Sequence, residues 1–524
     1  MLRSLAVSNF KPFGTIQTAD LAPLTLIYGP NSGGKSSIIQ SLLLLKQSFA
    51  GGFYSDYPLM PRGDSVDLGS FKSLLHKHDL GRTLNIELSF LPFAGKKKAG
   101  LRTLFDRRGP MLPNNSRKVR LFYSARSAEI GKIENPQLSR LGYDLEGDEG
   151  KPQLFSVDLI PVVGQDEPVQ ELVRSPYPYS EDATAFEWMN EDSIASYCLF
   201  LFKSGEIRDQ FDLRNFVRAR RFISGGTTAK SKLTLNNLME ALSGYFLIGR
   251  STLPYILFPK SQAERANPLP ASGEPLLFPA PGIDVFHRDL LAILRSVEYL
   301  GPMRSAPERH YFLGNAHSEH VGKHGENTPQ MLYYRSKEIT GTLNKWFEYF
   351  EIPYTVSLGS FGDEVVGEMI VVNLNDLRNQ TKVTQSDVGF GIGQLLPVLV
   401  QGIFATSRIL CVEQPEIHLH PRLQGALGDF FLSSCGVLNG SERWMARKES
   451  NQWLVETHSE SLILRVLKRI REGKVKPSEV SVLYVNPIQG VGSEILRLRI
   501  DDKGKFIDEW PQGCFEESFQ EMFF

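Results

Sequence analysis

The sequence predicts an α/β fold in which one sheet is assembled from both ends of the chain. Near the N-terminus, a short apolar run at residues 24–28 precedes a glycine-rich loop and then an apolar helical segment at residues 37–45. Near the C-terminus, the apolar runs 408–412 and 452–457 end in acidic or polar residues, and helical patterns follow both. A long stretch of different character separates these regions. The sheet therefore belongs to a discontinuous domain.

The glycine-rich loop, residues 29–36, matches the phosphate-binding pattern GxxxxGK[ST]. Its glycines let backbone N–H groups turn towards a phosphate, and the N-terminus of the following helix adds partial positive charge. Lys35 is predicted to contact the β- and γ-phosphates, and Ser36 to ligate Mg²⁺. We therefore expect ATP and Mg²⁺ as cofactors. The expected nucleotide-binding residues here are Gly29, Asn31, Gly33, Gly34, Lys35, Ser36 and Ser37.

Length, charge and cysteine content limit the protein class. The chain has 524 residues, which is room for two or three domains, and a formal net charge of −1. Binding to nucleic acid or to a membrane would therefore need a local patch. The four cysteines lie far apart, which suggests neither a disulfide framework nor a zinc site and favours a reducing location. With no signal-peptide pattern and no apolar run of membrane-spanning length, we expect a soluble cytoplasmic protein that does not contact a membrane.

The expected domain division follows the change in character along the chain. Residues 1–92 and 360–524 are predicted to form the domain with the glycine loop, and residues 93–359 to form an insertion of β-hairpins and helices. Within the insertion, residues 96–126 carry dense positive charge and few acids. Two interpretations stay open for this basic segment: the solvated face of an antiparallel sheet, or a patch for DNA or another acidic partner.

Acidic residues follow the apolar run at 408–412. A P-loop ATPase needs an acid at the end of a neighbouring strand to hold Mg²⁺ through its water shell, and Glu413 has that position. Gln414 stands where a glutamate usually orients the attacking water, and glutamine cannot take the proton of that water. Either hydrolysis is slow, or Glu416 supplies the carboxylate. His418 and His420 also permit a metal site, which we disfavour because the strand-then-acid pattern already explains the acids.

Two further features point to phosphate. Three glycines at residues 389–393 lead into an apolar helix, so Gly391, Gly393 and Gln394 are predicted to form a second phosphate-facing loop. His458 directly follows the run at 452–457, where it is predicted to reach a γ-phosphate. The expected catalytic residues are therefore Glu413, Gln414, Glu416 and His458.

Together these motifs resemble the ABC-type ATPase heads of the SMC, RecF and overcoming-lysogenisation-defect group, and are most similar to a bacterial subgroup of RecF-like AAA-family ATPases. Further marks of the resemblance are residues 67–71, 301–309 and 508–515. The resemblance implies that residues 391–394 form the signature loop, that His458 is the switch histidine and that residues 417–421 form the D-loop. It also implies a homodimer, or a higher oligomer, with two ATP molecules sandwiched between heads, so that binding rather than chemistry is the switch.

Two departures from the family pattern bear on activity. The signature reads Phe-Gly-Ile-Gly-Gln at residues 390–394 and lacks the usual serine, and Gln414 replaces the usual glutamate. Relatives of this group often serve as ATPase subunits of anti-phage defence systems, such as those that resemble Septu. About 60 residues follow His458 without an acidic nuclease motif. We therefore expect any cutting to be done by a separate partner, a nuclease or other effector.

Three functions remain open on the sequence. The first is an ATP-gated regulatory ATPase that dimerises and controls a partner effector. The second is a RecF-like DNA-repair ATPase that contacts DNA through the basic segment 96–126. The third is a scaffold that holds a nucleotide with little turnover.

Overall fold

The structure is a computed structural model. It describes residues 1–50, 59–91, 116–125, 136–145, 155–161, 184–188, 245–248, 255–258, 276–279, 283–313, 318–363, 367–440, 444–445 and 450–511. Several residues named in the sequence analysis lie outside the described residues. They are the cations of the basic segment other than Arg117, Lys118 and Arg120, and residues 512–515 of the C-terminal segment 508–515 that carries part of the family resemblance.

The described strands and helices follow one another along the whole chain. The strands are β1 Leu2–Ser8, β2 Gln17–Asp20, β3 Leu24–Tyr28, β4 Leu84–Phe90, β5 Arg117–Ala125, β6 Pro136–Leu145, β7 Phe155–Pro161, β8 Thr184–Trp188, β9 Tyr245–Ile248, β10 Tyr255–Phe258, β11 Leu276–Pro279, β12 Val297–Leu300, β13 Tyr311–Phe312, β14 Tyr354–Asp363, β15 Gly367–Asp376, β16 Lys382–Thr384, β17 Ile409–Glu413, β18 Gln452–Glu456, β19 Val480–Ile488 and β20 Gly492–Leu498. The α-helices are Lys35–Ala50, Phe71–Leu74, Ile283–Ser296, Thr328–Tyr334, Ser336–Tyr349, Phe390–Phe404, Pro421–Ser434 and Glu460–Arg471. Short 3-10 turns lie at His76–His78, Gln385–Asp387 and Pro477–Glu479.

The chain divides into two compact units, and each contains segments that are far apart in sequence. The first comprises Met1–Thr18 and Leu44–Arg295, and the second comprises Ala19–Leu43 and Ser296–Phe524. The boundaries predicted from the sequence, which place an insertion at residues 93–359, stay a prediction.

An antiparallel sheet dominates the first unit, with the strand order β11-β10-β9-β8-β7-β6-β5-β4-β1-β2. The hairpin strands predicted at residues 119–123 and 154–159 are present as β5 and β7. Alternation in β5 directs Val119, Leu121 and Tyr123 into the interior, which is the period-two pattern of a half-buried strand.

The described cations of the basic segment are paired with acids of neighbouring elements. Lys118 lies 2.7 Å from Glu87, and Arg120 lies 2.8 Å from Asp144. Arg117 is buried and pairs with Asp289. These acids come from two other strands and from the helix Ile283–Ser296, so each of the three described cations has an acidic partner.

A six-stranded sheet organises the second unit, with the order β12-β17-β18-β3-β19-β20. Strand β3 comes from the N-terminal region, and it pairs in parallel with β18 on one side and β19 on the other. All five residues of β3, β17 and β18 are buried, as expected for parallel strands covered on both faces. The prediction of one α/β sheet assembled from both chain ends is confirmed.

The second unit also contains a smaller antiparallel sheet and a helical layer. The smaller sheet has the order β13-β15-β14, and β16 pairs with β15. Aromatic side chains fill much of the core: the Trp453 ring of β18 lies 4.8 Å from that of Phe431 between ring centroids, and Trp346 lies 5.0 Å from Phe430. This packing fixes the strands whose ends form the site described below.

Strand β12 is the main local difference from the sequence interpretation. The sequence pattern predicts a helix from about Asp284 to Val297 and then a charged turn over residues 299–309. In the structure the helix ends at Ser296 and residues Val297–Leu300 form a strand. The strand pairs in parallel with β17, so a partner more than a hundred residues away determines its conformation. Within the described residues, no helix combines the length and the apolar character needed to cross a membrane.

Candidate functional site

The phosphate-binding loop has the backbone geometry that its glycines predict. Gly29 has a φ of +144°, and a Cβ atom at this position would lie 2.5 Å from the backbone oxygen of Val485. Gly34 has a φ of +105°. Inside the loop, the Gly33 N–H donates to the Pro30 carbonyl over 3.2 Å, and Asn31 is exposed. The loop is therefore a tight turn that side chains would block at two positions.

Lys35 and Ser37 begin the helix that follows the loop. The Lys35 ammonium donates to the carbonyls of Gly29 and Pro30 over 3.0 and 2.9 Å, and the residue is buried. The Ser37 N–H donates to the Gly34 carbonyl over 3.0 Å. A buried cation at the start of a helix, next to a loop of backbone N–H groups, fits a triphosphate.

Ser36 hydrogen-bonds to an acid that the sequence analysis did not single out. Its partner is Glu456, the last residue of β18. Glu456 is buried, and its Oε2 atom has no hydrogen-bond partner within the described part of the chain. Burial raises its pKa, against the effect of the Ser36 hydrogen bond and the charge of Lys35. Hydroxyl and carboxylate oxygens are the ligands that Mg²⁺ prefers, so these residues fit the predicted metal ion.

Glu413 ends β17 at the same level of the sheet as Glu456, its register partner on β18. The Tyr299 hydroxyl, from β12, donates to Glu413 Oε1 over 2.9 Å. Burial raises the pKa of Glu413 to about 7, with the charge of Glu456 as the next cause. Two carboxylates at one edge of the sheet thus repel one another, and a divalent cation bound at this edge would offset that repulsion.

Buried Arg304 holds the backbone next to Glu413. Its guanidinium donates to the carbonyls of Glu413 and Gln414 over 3.0 and 3.2 Å. The Gln414 N–H donates to the Glu456 carbonyl over 2.7 Å, and Gln414 has a φ of +46°. Left-handed backbone is unfavourable for glutamine, so these three hydrogen bonds maintain a conformation that the residue would not choose alone.

Glu416 connects the turn after β17 to the residues after β18. One carboxylate oxygen accepts the Thr457 hydroxyl over 2.8 Å, and the other accepts the backbone N–H of His458 over 2.7 Å. Burial raises the pKa of Glu416, and these two hydrogen bonds oppose that effect. The exposed His458 side chain has a lowered pKa, because of partial burial first and the charge of Lys35 second. Glu416 therefore fixes the backbone from which His458 projects.

The two histidines after Glu416 make different contacts. His420 caps the helix Pro421–Ser434, because its Nδ1 accepts the Arg422 N–H over 3.3 Å. His418 is exposed, and its ring centroid lies 6.0 Å from that of Phe390. Across the residues that the structure describes, no group of three or more His, Cys, Asp or Glu side chains could hold a metal ion unaided.

The second glycine loop opens the helix Phe390–Phe404 beside these histidines. A Cβ atom on Gly391 would lie 2.8 Å from the His418 carbonyl oxygen, and one on Gly393 would lie 2.7 Å from Pro307. Gln394 is buried, whereas Phe390 is 64% exposed. The loop therefore packs closely on the segment predicted as the D-loop. Its contact with a partner's phosphate stays a prediction.

The structure thus brings the predicted residues into two groups. The first group contains the loop 29–36, Glu413, Gln414, Glu416 and His458 at the ends of β3, β17 and β18, and the second contains residues 391–394 and His418. Sequence reasoning missed Tyr299, Arg304 and Glu456. Glu456 could have been found, because an acid at the end of a buried apolar run is the same signal that identified Glu413.

Comparison with known proteins agrees with this geometry. Residues 311–463 match the family model described as an AAA ATPase domain. The matched segment contains the second glycine loop, Glu413 and His458, and it begins after the phosphate-binding loop. The match supports the prediction of an ATPase over this segment, and the SMC- and RecF-like grouping stays a prediction. No curated protein matches the chain in sequence.

Solved structures of SMC heads are similar over nearly the full chain, but at low scores. An SmcHead bound to the C-terminal winged-helix domain of ScpA has 11% identity and a TM-score of 0.37, covering 96% of this chain and 98% of its own. The SMC head domain from Thermotoga maritima has 9% identity and a TM-score of 0.34, covering 95% and 99%. A Pyrococcus furiosus Smc head with an extended coiled coil, bound to the C-terminal domain of ScpA, has 11% identity and a TM-score of 0.36, covering 99% and 98%. At these scores the likeness supports no functional conclusion.

The raised pKa of Glu413 predicts a specific pH dependence of stability. Between about pH 4.5 and pH 7, the folded protein keeps a proton on Glu413 that the unfolded chain has lost. The free energy of unfolding without nucleotide should therefore fall as pH rises through this window, by up to about 3 kcal/mol from this group. Glu413→Gln should flatten the dependence, as measured by denaturant unfolding at pH 5 and pH 8.

The exposed Glu348 provides a matched control. Glu348→Gln should keep the slope of the parent protein. An equal slope in the parent and in Glu413→Gln would contradict the account of the buried carboxylates.

Proposed function

We propose that this chain is a cytoplasmic, slowly hydrolysing ATPase that dimerises around ATP and thereby regulates a separate effector, a nuclease, in anti-phage defence. The observation that carries the proposal is the fixed backbone and the non-basic side chain of Gln414. Arg304 and Glu456 hold its backbone from both sides, at the position where the attacking water would be activated. A glutamine side chain can orient that water but cannot accept its proton.

The hydrogen bonds of Glu416 support slow turnover as well. Both of its oxygens already accept hydrogen bonds, from Thr457 and from the His458 backbone. To take the proton of a water, either oxygen would have to give up one of these hydrogen bonds. We therefore propose that Glu416 links the turn after β17 to His458. Through this link, phosphate binding at the site would be transmitted to the protein surface.

Exposed side chains near the second glycine loop support dimerisation. Phe390 is a large apolar residue with 64% of its surface exposed, and exposed His418 lies beside it. In the family that this chain resembles, these two segments face the partner subunit across ATP. Exposure alone does not identify an interface, so the support for one here is the position of Phe390 in the segment that faces the partner subunit in that family.

The dimer interface can be tested separately from nucleotide binding. Phe390→Glu should leave the affinity of the monomer for ATP unchanged and weaken ATP-dependent dimerisation about tenfold or more, because a charge would be buried against the partner. Lys35→Ala should weaken both, because it removes the positive charge nearest the phosphates. Light scattering with and without a non-hydrolysable ATP analogue measures the first effect, and calorimetry the second.

Phe312 is the matched control, since it is an equally exposed phenylalanine, at 64%, on strand β13. Phe312→Glu should dimerise with ATP like the parent protein. The proposal fails if the parent stays monomeric with ATP, or if Phe390→Glu dimerises as well as Phe312→Glu.

Replacement of Gln414 distinguishes a regulatory ATPase from a scaffold that has lost its chemistry. Gln414→Glu should raise the ATP turnover number about a hundredfold, because it places a general base beside the water. Steady-state phosphate release is the measurement. No increase, together with loss of the residual activity in Glu416→Gln, would instead place the chemistry on Glu416.

The RecF-like DNA-repair function is the second candidate, and it rests on the basic segment. The described cations there pair with acids of two strands and a helix, so any DNA contact would rely on the remaining ones. Changing Lys96, Lys97, Lys98, Arg107 and Arg108 to glutamate should abolish DNA binding and reduce its salt dependence if this candidate is correct. Unchanged binding would exclude the segment. Co-purification with and without ATP would identify an effector and decide in favour of the first proposal.

A further inference from the structure

Glu456 lies closer to the phosphate-binding strand than Glu413 does. Strand β18 is inserted between β3 and β17, and Glu456 is level with Ile27 on one side and Glu413 on the other. Adjacent strands are about 4.8 Å apart. The backbone position that carries the Glu413 side chain is therefore about one strand spacing further from the loop 29–36 than the position that carries the Glu456 side chain.

The two carboxylates also have different partners. Tyr299 donates to Glu413 from the side away from β18, because β12 pairs with the opposite edge of β17. Glu456 accepts the hydroxyl of Ser36, the predicted Mg²⁺ ligand. Among the described residues nothing hydrogen-bonds to Glu456 Oε2, although the residue is only 4% exposed. A buried carboxylate oxygen without a partner is costly unless a ligand completes it.

We propose that Glu456, together with Ser36, forms the carboxylate–hydroxyl pair that binds the Mg²⁺ ion of the nucleotide. The Ser36 oxygen can ligate the ion through a lone pair while its proton stays hydrogen-bonded to Glu456. The second oxygen of Glu456 is then available to the ion or to a water molecule bound to it. In this assignment Glu413 supports the water shell from one strand further away. The inference rests on the proposed function, because it assumes that the loop 29–36 binds a triphosphate.

The test is the gain in nucleotide affinity that Mg²⁺ provides. A fluorescent, non-hydrolysable ATP analogue is titrated into each variant with Mg²⁺ or with EDTA, and Mn²⁺ binding in the presence of the analogue is followed by electron paramagnetic resonance. Glu456→Gln should lose about tenfold or more of the Mg²⁺-dependent gain and should bind Mn²⁺ correspondingly more weakly. Its affinity in EDTA should match that of the parent protein. Glu413→Gln should keep most of the gain.

Two further variants keep the test decisive. The exposed Glu348→Gln is the control for the loss of one negative charge and should behave like the parent. Glu456→Asp keeps a carboxylate on a shorter side chain and should retain part of the gain, even if Glu456→Gln does not fold.

The possible failures can be told apart. If the parent does not bind the analogue at all, the proposed function fails. If the parent binds it and both Glu456 variants keep the full Mg²⁺ gain, or if Glu413→Gln alone loses it, only the assignment of Glu456 is overturned.

Discussion

The pairing of Leu24–Tyr28 with two C-terminal strands is the constraint on which the site depends. This strand lies between Gln452–Glu456 and Val480–Ile488. One edge of one sheet therefore holds the phosphate-binding loop, the acids at and after the end of Ile409–Glu413, and His458. The register sets Glu456 level with both Ile27 and Glu413. Because the carboxyl ends of parallel strands meet at the same edge, segments more than 400 residues apart in sequence can act on one ligand.

Hydrogen bonds from the protein compensate part of the buried negative charge at this edge of the sheet. Glu413, Glu416 and Glu456 are all buried, and burial raises the pKa of each. Protein hydrogen bonds satisfy part of the charge, from Tyr299, Thr457, Ser36 and the His458 backbone. The buried carboxylate oxygen at this edge that still lacks a hydrogen-bond partner among the described residues belongs to Glu456, which interacts with the charge of Lys35. A cation bound here would compensate this remaining charge.

The sequence was sufficient for the parts of the fold and the site that local pattern encodes. Continuous apolar runs identified Leu24–Tyr28 and Ile409–Glu413, and glycine spacing identified the loop between Tyr28 and Lys35. Strand Val297–Leu300 could not be predicted, because four residues after a helix become a strand only through pairing with Ile409–Glu413. Arg304 was equally hidden, since the carbonyls that it binds belong to residues 109 and 110 positions away. Contacts at that separation leave no periodic signal in one sequence.

The location of the metal ion tests the central claim most directly. A crystal of the chain grown with Mn²⁺ and a non-hydrolysable ATP analogue would show the ion in an anomalous difference map. The account predicts one Mn²⁺ peak beside Ser36 Oγ at the common edge of β3, β17 and β18, with the phosphates enclosed by residues 29–36. A nucleotide bound elsewhere, or a Mn²⁺ ion remote from Ser36 and from both Glu413 and Glu456, would contradict it.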